Sequence, residues 1–220
     1  MNKKHRAAFA ADPSFLARIA HTKSGTNAAS VAADQKLPKR EPSKAVLRAK
    51  KVQEANKDGR YDAVVSDESL GTLTFIFSGA MLLSLNVSLR MHDAKASALK
   101  DTWKKRVQAV VLENRALIYA WQQRCRFPLI VEEVYITAES ALLDTEAVAA
   151  ACKPIIDALV FNQVVPDDNC KFICQPLAYT ERGPSPALLI SFKPSPKPWG
   201  FIDDASVELA RAAAKQRSVD

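Results

Sequence analysis

Apolar and polar positions alternate, cluster or recur differently along the chain, and most clearly between residues 71 and 193. Gly71–Gly79 (GTLTFIFSG) is rich in β-formers and bounded by glycines, which predicts a strand. Across Asp93–Leu117 the apolar residues Ala94, Leu99, Trp103, Val107, Val110 and Val111 recur mostly at helical spacing, which predicts one long helix. Lys100, Lys104 and Lys105 fall largely on a different side of that helix, toward solvent or a ligand. Phe127–Thr137 (FPLIVEEVYIT) reads as a second strand. A helix follows within Asp144–Phe161, with Val148, Cys152, Ile155, Ile156 and Leu159 as its inner face. Pro154 is expected to kink that helix or restart it as a first-turn proline. Val165–Asn169 is a turn, and Lys171–Tyr179 and Ala187–Phe192 are two further strands. The RGPSP run between them suits a hairpin loop. Lys193–Trp199 is a proline-rich linker and Ala205–Arg217 an amphipathic helix.

These elements predict an α/β fold. It is a single small domain with a mixed β-sheet in the order β-α-β-α-β-β, preceded by a disordered basic N-terminal arm and followed by a C-terminal helix. The expected divisions are 1–70 for the arm, 71–193 for the domain, and 194–220 for the linker and last helix. Residues 1–60 are rich in Ala, Ser and Lys and poor in large apolar groups, so little there can fill a core.

Charge divides the same way. Residues 1–60 hold 14 Lys+Arg against 5 Asp+Glu, a balance of +9, and the remainder holds 17 against 19. The net +7 therefore belongs to the N-terminal third. That arm reads as a solvated tail, as a basic segment touching nucleic-acid phosphates, or as an organellar transit peptide. Within the rest, residues 84–127 carry nine basic residues and three acidic ones, which places a basic helix beside an acidic region. No run of about 18 apolar residues occurs, which excludes a spanning helix. A cytoplasmic setting, bacterial or phage-encoded, is expected, with organellar targeting left open.

Of the four cysteines only Cys170 and Cys174 are close, and no second Cys/His pair stands at zinc spacing. Buried reduced thiols are the expectation. The acidic chemistry lies in Asp144-Thr145-Glu146, in Asp157, and in Asp167-Asp168. In an extended segment Asp144 and Glu146 would share one face and converge on a hard cation; in a helix they would point apart. Paired acids in a turn also serve as turn or capping groups.

The run LLDTEAVAAACKPIIDALVFNQVVPDDN resembles the central signature of RusA-type Holliday-junction endonucleases: opening acids, a helix carrying a lysine, Asp-Ala-Leu, and a closing Asp-Asp turn. Lys153, Asp157-Ala158-Leu159 and Asp167-Asp168 match in type and order. The upstream run LLSLNVSLRMHDAKASALKDTWKKRV is similar to the family's N-terminal segment, with Ser84, Asn86, Arg90, His92, Lys100 and Trp103 in comparable places. The resemblance covers about residues 72–192. It implies a homodimer resolving four-way DNA junctions in recombination and repair, with Mg²⁺, or Mn²⁺ in its place, as cofactor. Lys153 would be the catalytic cation and Asp168 a metal ligand; Asp144 and Glu146 would complete the catalytic and metal set, with Asp167 as a further ligand. The implied DNA-binding residues are Asn86, Arg90, Lys95, Lys100, Lys104 and Lys105.

The chain departs from the pattern in spacing. Lys153 lies seven residues after Glu146, whereas the family places its second acid about one helical turn before the lysine. A register anchored on Lys153 and Asp157 puts Ala147 and Ala149 where the acids belong. The alternative reading is therefore a catalytically degenerate DNA-binding protein on the same fold.

Overall fold

The computed structural model describes residues 41–84, 87, 91–139 and 143–216. Asn86, Arg90 and residues 1–40 of the basic arm lie outside them.

The first described helix, α1 (Lys44–Ala55), lies inside the segment expected to be a disordered arm. The helix buries a single residue, Val52, in a small apolar cluster with Met81 and Leu83. Its C-cap Asn56 is fully buried and trades two hydrogen bonds with the Met81 backbone, at 2.8 and 2.9 Å. A first strand, β1 (Ala63–Asp67), then pairs antiparallel with β2 (Thr72–Ser78). The arm boundary at residue 70 is therefore corrected: 44–67 contributes a helix and an edge strand to the domain.

The expected long helix is two. α2 (Asp93–Glu113) stops at Asn114, and α3 (Arg115–Gln122) restarts there. Trp103 is buried and packs edge-on against Phe77. Trp121 is buried and donates to the Gly71 carbonyl at 2.9 Å, whereas Tyr119 is exposed.

β3 (Leu129–Thr137), α4 (Thr145–Phe161) and β4 (Ile173–Arg182) form a β-α-β crossover, and β3 pairs parallel with β4. β5 (Ala187–Pro194) completes a five-stranded mixed sheet of order β1-β2-β5-β3-β4. β4 and β5 are thus not a hairpin, as the RGPSP loop suggested; β3 lies between them. The loop crosses the end of β3 at close range. Gly183 donates to the Thr137 carbonyl at 3.0 Å, and a Cβ there would sit 2.4 Å from the Ile136 side chain. Any side chain there would force Ile136 to shift.

The core lies where α2, α3 and α4 meet the sheet, around Phe75, Phe77, Trp103, Val107, Ile155, Leu159, Leu188 and Ile190. Pro154 sits inside α4 without dividing it. The hydrogen bond it removes belongs to the carbonyl of Ala150, an exposed position. α5 (Asp204–Gln216) ends the described chain, with Asp204 accepting from Lys197 and Trp199.

Candidate functional site

α4 presents Glu146, Ala149, Lys153 and Asp157 at spacings of three and four, which lines them along one side of the helix. The turn after α4 returns Asp168 to this stripe. Lys153 Nζ donates to both Asp157 and Asp168, so one ammonium joins two carboxylates brought together by the crossover. Burial works to lower the Lys153 pKa, but hydrogen bonds from its ammonium to Asp157 and Asp168 outweigh it and raise the value. The Lys153 hydrogen bond holds the Asp168 carboxyl below its ordinary range. Lys153 and Asp168 are therefore neighbours.

The other expected ligands are engaged elsewhere. Asp144 is the N-cap of α4, and its Oδ1 accepts from the Ala147 backbone at 2.6 Å. Glu146, in the first turn, lines a hollow of about 560 Å³ with Glu132, Thr145 and Tyr179. Asp167 ties its own turn, accepting from the Asp168 backbone at 2.8 Å and from the Asn169 amide. Among the described residues no group of three or more His, Cys, Asp or Glu side chains is placed to hold a metal ion. The extended arrangement that would let Asp144 and Glu146 converge is absent, because the helix begins between them. The set Asp144, Glu146, Asp167 and Asp168, as it stands, does not fit a Mg²⁺ cage.

A residue not singled out from the sequence lines a cavity with Lys153 and Asp168. Glu133 of β3 faces inward and is only 3% exposed. Its Oε2 has no hydrogen-bond partner. It lines a cavity of about 180 Å³ with Lys153, Asp168 and Ala149. Burial pushes its carboxyl up to about 7. Burial, and next the Glu133 charge, raise the thiol of the fully buried Cys152. The signal was present in the sequence: two adjacent glutamates in a strand must point to opposite faces. Glu132 took the outward position and pairs with Lys193 at 2.7 Å.

The basic helix divides as well. Lys95, Lys100, Lys104 and Lys105 are exposed. Lys104 Nζ lies 3.7 Å above the centre of the Phe161 ring. Lys100 and Lys104 line a hollow of about 220 Å³ that also includes Asp157. Lys100 and Lys104 therefore border Asp157, the partner of Lys153, whereas Lys105 lines a separate hollow with Arg106 and Asp62. Arg106, counted among the basic residues from sequence, is buried. It makes a two-pronged pair with Asp62, at 2.6 and 2.7 Å, and donates to the Ser78 carbonyl at 2.7 Å. His92 caps α2, its Nδ1 accepting from Ala94 at 3.3 Å.

No family model matches this chain, and no curated protein matches its sequence. All four cysteines are free thiols; Cys152 alone is fully buried, and Cys170 is exposed in the turn before β4. No described helix is long and apolar enough to cross a membrane.

Proposed function

We propose that the chain binds branched DNA on a RusA-like fold, and that it does so without the metal cage that Asp144 and Glu146 would have to complete. The observation that carries this reading is the continuity of exposed Lys100 and Lys104 with Asp157 and Lys153. None of Lys95, Lys100, Lys104 and Lys105 forms an ion pair among the described residues, so their charges are available to phosphates. Phosphate contacts of this kind position a duplex without reading its sequence. A homodimer would present two such faces to a four-way junction, matching its symmetry.

Cleavage is the second reading, favoured by one feature: Lys153 and Asp168 stand together as the resemblance requires. A lysine beside a carboxylate would neutralise charge developing on a phosphate oxygen.

A synthetic four-way junction tests both. The binding reading expects a shifted complex whose affinity falls with salt, no cut strands with Mg²⁺ or Mn²⁺, and weaker binding in a Lys100→Ala/Lys104→Ala variant. Symmetric nicks abolished by Asp168→Asn would replace it with the endonuclease. Absence of binding would remove both.

A further inference from the structure

Phe161 is the last residue of α4 and is 60% exposed, although Leu159, two positions before it, is fully buried. A single exposed apolar residue is ordinary on a protein surface. The surroundings of Phe161 are not. α2 packs against α4, and the Lys104 ammonium lies over one face of the ring, 3.7 Å from its centre. Lys100, one turn earlier on α2, lines the same hollow. Neither lysine is ion-paired among the described residues. Three other exposed aromatics are already committed. Tyr61 lies under Arg60, whose guanidinium is held by Asp58. Phe127 meets Phe172 edge-on, and the Tyr179 hydroxyl donates to Glu181. The hollow beside Phe161, about 220 Å³, holds several times the roughly 30 Å³ of a liquid water. Pro154 and Ala158 give it an apolar wall, and Asp101 and Asp157 also line it. Lys153 neutralises Asp157, whereas Asp101 has no ion pair among the described residues. An anion inside the hollow would face Asp101; an uncharged flat ring would not.

We propose that Phe161 is a stacking platform for one unpaired nucleobase, with Lys100 and Lys104 holding the phosphates beside it. The proposal rests on the DNA reading and deepens it: this face selects DNA with unstacked bases, at a branch point or in a single strand, over intact duplex. Phe161 is not among the DNA-binding residues that the resemblance implies. Every base has a π-face, so a platform of this kind tolerates any sequence. In a duplex those faces are stacked on neighbouring bases and are hidden from Phe161. Lys104 is placed to follow the change. At an exposed site its contact with the ring is weak, and a charge-assisted hydrogen bond to phosphate is stronger. An ammonium that moves to the phosphate uncovers the ring face that the base then takes.

The test uses the full chain and fluorescence anisotropy at one salt concentration. The probes are a thymidylate strand of about 20 nucleotides, a duplex of the same length and a four-way junction. The wild type should bind the single strand and the junction more tightly than the duplex. Phe161→Ala should weaken both by about fivefold or more, the lower end of base–aromatic stacking, and change duplex affinity by less than about twofold. Phe161→Leu, apolar but without a π-face, should lose as much. Phe161→Trp should bind as the wild type does, and its added emission should be quenched by the thymidylate strand; a side chain that only packs would not give that signal. Lys100→Ala/Lys104→Ala should weaken all three complexes. Folding is checked by circular dichroism, and if Phe161→Ala fails to fold, Phe161→Leu carries the comparison. The platform is overturned if the folded variant loses single-strand and duplex affinity equally or loses neither, or if the Trp emission is unchanged on binding. A wild type that binds none of the probes removes the DNA reading and the platform with it; one that binds all three, with Phe161→Ala indifferent, removes the platform alone.

Discussion

Two regions of this domain bury a charged side chain to nearly the same depth, and they treat it in opposite ways. Between α1, α2 and β2, Arg106 is 5% exposed. It is met by the Asp62 carboxylate, the Ser78 carbonyl and the Asn56 amide oxygen. The Phe77 and Trp103 rings lie within 5.6 Å of it. Beneath α4, Glu133 is 3% exposed and has a bare oxygen. The first arrangement uses its donors and holds α1, the 56–62 loop and β2 in place. The second leaves acceptor capacity facing a cavity. A satisfied buried charge locks a structure; an unsatisfied one is a place where something can still bind.

The comparison can be broken from its strongest side first. Asp62→Ala leaves the Arg106 cation buried without its carboxylate, and stability should fall by about 3–5 kcal/mol. Chemical denaturation measures the loss, and a loss below about 1 kcal/mol would show the pair to be replaceable.

Glu133 should behave in the reverse sense. Its folded carboxyl is raised from 4.5 to about 7, so the folded state keeps a proton that the unfolded chain releases. Stability from this group is complete below pH 4.5 and is lost as pH rises toward 7. Glu133→Gln, studied with a chelator present, should therefore remove that decline and gain on the order of 3 kcal/mol near pH 8. Denaturation curves at pH 5 and pH 8 decide it; a wild-type stability flat between them would mean that water or a shift of the strand satisfies the carboxylate.

The N-cap assigned to Asp144 gives a smaller effect. Asp144→Ala should cost about 1 kcal/mol, and Asp144→Asn much less, because Asn caps equally well. If both changes were neutral for stability but lowered ion affinity, Asp144 would return to the metal set.

The exposed lysines should matter least to folding. Lys100→Ala/Lys104→Ala should change stability by no more than about 0.5 kcal/mol per site, yet reduce the slope of log affinity against log salt for a DNA junction by about 2. An unchanged slope would remove α2 from the interface.

Much of the fold was legible because its strands and helices are locally patterned. GTLTFIFSG and FPLIVEEVYIT sit in β2 and β3 as read, and the inner face of α4 carries the apolar residues chosen for it. α1 escaped notice because it contributes only Val52 to a core, and its Lys- and Ala-rich sequence resembles the tail before it. The hairpin between β4 and β5 was misread because strand order depends on pairing across distant segments, which local pattern does not encode. Lys153 and Asp168 were legible as a pair through resemblance, and their contact depends on a turn fifteen residues away. Glu133 was missed because attention to charge favoured acids in turns over an acid inside a strand. Arg106 was miscounted for a related reason: a sequence sum treats every cation as surface.

The order of strands has a consequence for how the chain comes to be folded during synthesis. β5 occupies the middle of the sheet, with β2 on one side and β3 on the other, yet it is the last in sequence of the five described strands. Until Ala187–Pro194 has left the ribosome, β2 and β3 lack the partner between them, and both expose unpaired backbone edges. The nascent domain therefore waits on its final strand, and a chaperone that shields β-edges would act in the interval before residue 194 emerges.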